Sequence, residues 1–177
     1  MNSGVGAIIL KYPLDRICIK SGVYCPHCQQ KIEGGVVDRS ELDVLRTLVI
    51  LEDKLKFLKK GEYVRSVQLS NDIYVFVKDG FEPAELSTLE HELSRELGKR
   101  VRVVEYAPDS RRLIEQIFYP AQIAGINRVW LPDGSEILNI RISRRDRKWI
   151  EPNKDQYERL IEKIIGIKTR ITFDHYG

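Results

Sequence analysis

Cysteine is scarce in this chain. There are three among 177 residues, all between positions 18 and 28. Nothing remains for a long-range bridge, so a disulfide framework of the secreted kind is excluded and free thiols or a metal site are expected. Long apolar runs are also missing, which excludes a membrane-spanning helix. The apolar patch near the start, within MNSGVGAIILKYPLDR, has no basic stretch before it, so a signal peptide is not expected. Charge of one sign is lacking too: 29 Lys and Arg against 26 Asp and Glu leave +3. The sum therefore does not announce a nucleic-acid partner, and the distribution of charge must decide. No P-loop, nucleophile elbow or His-Glu-x-x-His motif occurs, so an enzyme is not expected. With 42% hydrophobic and 31% charged residues, disorder of the whole chain is excluded as well. The expected compartment is the reducing cytoplasm, with neither a membrane partner nor a small-molecule substrate.

What is present is a pattern that occurs twice. Residues 1–37 read as a short, irregular Cys-bearing segment. Residues 38–60 read as one helix, with Ser40 as N-cap, leucines at 42, 45, 48, 51, 55 and 58 forming a stripe, and Gly61 as its stop. Two strands follow over 63–69 and 73–78, then a helix over 84–97 that ends at Gly98, then a strand over 101–106. A linking helix is expected over 109–121. The second copy opens with two strands around the turn Pro132-Asp133-Gly134-Ser135, continues with a helix over 153–165 that ends at Gly166, and closes with the strand TRITFDHY. The two helix-to-strand junctions, ELGKRVRV and IIGIKTRI, align with glycine in register. The expected architecture is α+β: two small three-stranded sheets, each with helices on one face. The expected segments are residues 1–37, 38–107 and 108–177.

The order helix, strand, strand, helix, strand resembles a type II KH domain. Two such units in tandem resemble the NusA-like proteins of archaea. The most specific residues are Val101-Arg102-Val103-Val104-Glu105-Tyr106, followed by the helical stretch from Leu113 to Pro120-Ala121. The front segment, from Ile17-Cys18 through Ser21-Gly22 to Cys25-Pro26-His27-Cys28, resembles the zinc-binding start of some KH-containing proteins. The resemblance implies a non-enzymatic RNA-binding protein acting in transcription elongation or termination, with RNA and RNA polymerase as partners. A ribosomal or ribosome-associated role and a protein-interaction adaptor are the alternatives. The chain departs from the family in one respect. The Gly-x-x-Gly loop that clamps nucleotides in a KH domain is missing from both copies: Gly80 stands alone in the first, and no glycine lies between Gly134 and Gly166 in the second. Binding would then fall to basic surfaces.

Two groups of residues could carry function. Cys25 and Cys28 form a Cys-x-x-Cys pair, with Cys18 seven positions upstream. A structural zinc site needs four donors, and Asp15 stands three residues before Cys18, the spacing of the pair itself. Cys18, Cys25 and Cys28 are therefore the expected zinc ligands, with Asp15 as the candidate for the fourth position and the distant His91 and His175 as alternatives to it. The second group is the stretch Arg141, Arg144, Arg145, Arg147, Lys148 and Trp149, placed where the second copy should carry its glycine loop. Arginine forks suit phosphates, and Trp149 suits either a base or the core. Arg100, Arg102, Arg111 and Arg112 form a further basic group around the strand over 101–106. No chemistry is assigned to Asp174-His175-Tyr176.

Overall fold

The computed structural model describes residues 10–175. The apolar patch at residues 1–9 and Tyr176 lie outside them. The chain divides into two compact units, residues 1–106 and 107–177.

In the first unit, β1 (Glu62–Leu69) and β2 (Asp72–Lys78) form an antiparallel hairpin, and β3 (Arg100–Glu105) pairs with β2 in parallel. A parallel neighbour requires a crossover, and α4 (Pro83–Leu97) supplies it. Its start is legible in three residues. Pro83 occupies the first turn, and Glu82 and Glu85 form a reciprocal capping box. Leu89 and Leu93 bury the inner face of α4, and Gly98 ends it in the left-handed conformation.

The long helix expected over 38–60 is three pieces. A 3-10 turn (Arg39–Glu41) leads into α3 (Leu42–Leu51), and a second 3-10 turn follows over Lys56–Lys60. The entry cap is Asp38, whose carboxylate accepts from the Ser40 N–H, so Ser40 is not the cap. Leu45, Leu48, Leu51, Leu55 and Leu58 are buried as the stripe required. A spacing of three suits a 3-10 turn as well as an α-helix, so the leucines could not reveal the break. The break follows a buried carboxylate. Glu52 turns inward and accepts from the Leu10 N–H at 2.9 Å, the Tyr12 hydroxyl at 2.9 Å and Arg16 Nε at 2.8 Å.

The Cys-bearing segment is not irregular. It holds α1 (Arg16–Ser21) and α2 (Pro26–Glu33). Leu10, Leu14, Ile19 and Cys28 join Leu45, Leu48, Val75 and Leu93 in one core. Each buried aliphatic side chain contributes about 2 kcal/mol, which fixes the segment to the first sheet.

The second unit repeats the plan. β4 (Ile123–Trp130) and β5 (Glu136–Ile142) are antiparallel, and β6 (Lys168–Phe173) is parallel to β5. Its helices are α5 (Ser110–Phe118), capped by the Asp109 carboxylate, and α7 (Lys154–Ile165), which ends at a left-handed Gly166. Leu113, Ile114, Ile117, Ile140, Leu160, Ile161 and Ile171 fill the core. The stretch expected as a basic loop is ordered. It runs from the end of β5 through a 3-10 turn (Arg144–Asp146) and α6 (Arg147–Ile150) to another 3-10 turn (Glu151–Asn153) before α7. The architecture is α+β with two three-stranded sheets, as the sequence predicts. No helix among the described residues is long and apolar enough to cross a membrane.

Candidate metal centre and nucleic-acid interface

The three thiols converge. Cys18 lies in α1, Cys25 is the N-cap residue of α2, and Cys28 sits one turn into α2. Their sulfurs all lie within 4.8 Å of one another. Cys18 and Cys28 are buried and Cys25 is exposed. The backbone aims donors at two of the sulfurs: the Asp15 N–H at Cys28 Sγ (3.3 Å) and the Cys25 N–H at Cys18 Sγ (3.4 Å). Donors directed at sulfur favour the charged thiolate, the form that binds metal. The Cys25 thiol is held below its ordinary value, chiefly by the Cys28 backbone N–H, whereas burial pushes Cys28 up. Three soft donors at this separation fit a thiophilic metal ion.

Asp15 does not join them. Its carboxylate accepts from the Ile17 N–H at 2.8 Å and the Cys18 N–H at 3.4 Å, so it caps α1. An acidic residue directly before a short helix serves as a cap, a use that spacing to Cys18 does not distinguish from metal ligation. No imidazole or carboxylate among the described residues completes the group.

The basic residues are dispersed. Arg100 and Arg102 lie on β3 of the first unit, where Arg102 stacks 5.9 Å over the Tyr74 ring and Arg100 stands 4.0 Å from Asp72. Arg111 and Arg112 open α5 of the second unit, and Arg111 pairs with Glu115 at 3.0 Å. The four therefore do not form a single group within either unit.

In the second unit part of the expected stretch does gather. Arg144 and Arg147 line a groove of about 410 Å³ together with Lys154, Phe173 and His175, and Glu151 and Asp174 add two carboxylates. Arg147 lies 5.5 Å over the Phe173 ring and binds Glu151 through two hydrogen bonds of 2.7 and 2.9 Å. That pair holds the Glu151 carboxyl below its ordinary value. Arg144 and Arg145 are exposed and make no ion pair among the described residues. Arg141, on β5, reaches Asp174 just beyond β6 at 3.7 Å and covers Gly125 on β4, where a Cβ would meet its Nη2 at 2.7 Å. Lys148 sits 5.2 Å over Trp149, which is 69% exposed and so does not cover the core. Lys154 and Phe173 are not marked by any motif, because they come from α7 and β6, and His175, to which the sequence assigns no chemistry, follows β6. Only the fold brings them to Arg144.

No family model matches this chain, and no curated protein matches it. Among solved structures, the one described as "Crystal structure of APE1850" is similar with a TM-score of 0.55 at 20% identity. The likeness covers 73% of this chain and 96% of that one, and at this identity it concerns the fold alone.

Proposed function

We propose that this chain is a non-enzymatic RNA-binding protein whose RNA contact is the groove between the 144–154 stretch and β6. The observation that carries the reading is the composition of that groove. Three cations, Arg144, Arg147 and Lys154, line the groove together with Phe173, whose ring Arg147 overlies at 5.5 Å. Cations in this arrangement suit phosphates, and an aromatic ring beside them suits a base. The twofold strand, strand, helix, strand plan and the resemblance of the sequence to tandem KH units support the same reading. The resemblance also implies a setting, transcription elongation or termination in the cytoplasm. Glu151 and Asp174 restrain the attraction, which favours recognition of backbone and shape over sequence. In the first unit the three thiolates hold a structural zinc ion, which fastens α1 and α2 to the core.

The test is binding of a fluorescent single-stranded RNA across a salt series, for the native chain and for the triple variant Arg144→Glu, Arg147→Glu, Lys154→Glu. Each phosphate contact on a single strand contributes about 0.7 to the slope of log affinity against log salt. The variant should bind at least tenfold more weakly, with the slope reduced by about 2, while its circular dichroism is unchanged. A native chain whose binding is insensitive to salt, or a variant that binds equally well, overturns the proposal.

A further inference from the structure

We infer that the metal ion in the first unit is held by the chain through three ligands only, and that its fourth coordination position is open to an external soft donor, a thiolate or an imidazole. The inference rests on the metal reading above and goes beyond it. A closed structural site needs four protein donors, whereas three donors leave an exchangeable position. The 177 residues contain three cysteines, and all three are already in the cluster. The residue best placed by spacing for the fourth role, Asp15, is engaged as the cap of α1. His27 lies between two of the ligands in sequence, yet its ring does not join the sulfurs, and His91 of the same unit does not join them either. Residues 1–9, 176 and 177 contain no Cys, His, Asp or Glu.

The position of the opening follows from burial. Cys18 and Cys28 are covered by the core, and Cys25 faces solvent. An ion on the three sulfurs is therefore reached from the Cys25 side. Ile17, Val23 and His27, neighbours of the ligands in sequence, are exposed as well. Three thiolates select a soft metal ion, and a soft ion favours sulfur and imidazole nitrogen as its fourth donor. On entry, a thiol releases its proton to solvent and donates a sulfur lone pair, and a neutral imidazole donates its nitrogen lone pair. Either donor would take the position that solvent would otherwise fill.

The test uses the full chain, loaded anaerobically with cobalt(II), whose visible bands report its ligands. Native mass spectrometry counts the bound ions. Imidazole and 2-mercaptoethanol are then titrated in separate experiments. The expected result is one ion per chain and a saturable change of the visible spectrum with each donor, at one donor per ion. Cys25→Ser should weaken the sulfur-to-metal charge-transfer band, which confirms that the ion sits on the cluster. Sedimentation identifies the natural source of the donor. A metal-dependent dimer that is lost in His27→Ala and dissociated by excess imidazole assigns the position to a second copy of the chain. A monomer that still responds to both probes assigns it to small donors. A bound ion whose spectrum neither probe moves means that the chain itself supplies the fourth ligand, which overturns the inference and leaves the metal reading intact. A chain that binds no ion overturns both.

Discussion

The two units are built on one plan and use it differently. Each has an antiparallel hairpin, a helix ended by a left-handed glycine and a third strand parallel to the second. In the first unit the outer edge of β1 is bridged by Lys11, whose N–H reaches the Gly61 carbonyl at 3.1 Å and whose carbonyl accepts from Tyr63 at 3.0 Å. Tyr63, Ser66 and Val67 of that strand are buried. The matching strand β4 has no buried residue, and Trp130 at its end is 70% exposed. Charge is partitioned in the same way. Glu41, Glu52 and Glu92 are buried in the first unit, and Glu41 takes donors from the Tyr63 hydroxyl and the Ser66 N–H. Among the described residues the second unit buries no charged side chain. The repeated backbone determines where helix and strand run. The flanking segments decide whether a face becomes interior or surface.

Removing what holds the flanking segment should break the contrast most strongly. Ligand binding to the folded state stabilises it by about 4 kcal/mol when the ligand exceeds its dissociation constant a thousandfold. Chelation of the proposed zinc should therefore lower the stability of the first unit by about that amount, with faster hydrogen exchange over 10–33 and no change over 107–175. Equal loosening of both units would show that they do not unfold separately.

The substitution Glu52→Ala should come next. It strands the Leu10 N–H, the Tyr12 hydroxyl and Arg16, at a cost of about 3 kcal/mol. Burial and the adjacent Glu52 already hold the Tyr12 hydroxyl well above its ordinary value, so it remains a donor across the working pH range. Urea denaturation followed by hydrogen exchange should locate the loss in the first unit. A cost below 1 kcal/mol would mean that water replaces the carboxylate without penalty.

Glu52 also marks the limit of the sequence reading. Hairpins, helix stops and the start of α4 were legible because each is written in two or three neighbouring residues, as with Glu82, Pro83 and Glu85. The break after α3 was not, because its cause is a carboxylate that meets partners some forty residues earlier in the chain. The helices α1 and α2 span six and eight residues, too few turns for a period to emerge. The convergence of Cys18, Cys25 and Cys28 was legible from their spacing. The role of Asp15 was not, since a cap and a ligand call for the same residue at the same place. The groove was half legible: its arginines, Arg144 and Arg147, lie three residues apart in one basic stretch, but Phe173 reaches them only through the sheet.

The smallest expected effect offers the most even comparison. Gly98 and Gly166 end corresponding helices with φ of +63° and +79°, and a Cβ added at either would meet nothing within 4 Å. Alanine therefore brings no clash at either site, only the conformational penalty of a left-handed residue, about 1 kcal/mol. Gly98→Ala should weaken the first unit and Gly166→Ala the second, by similar amounts, while asparagine, which tolerates this conformation, should cost less at both. The two losses, measured separately by segment-resolved hydrogen exchange, test whether the shared backbone is energetically equivalent in the two copies. Equal costs leave the flanking segments as the source of the difference between the units. A much larger loss at one glycine would place part of that difference in the repeated core itself.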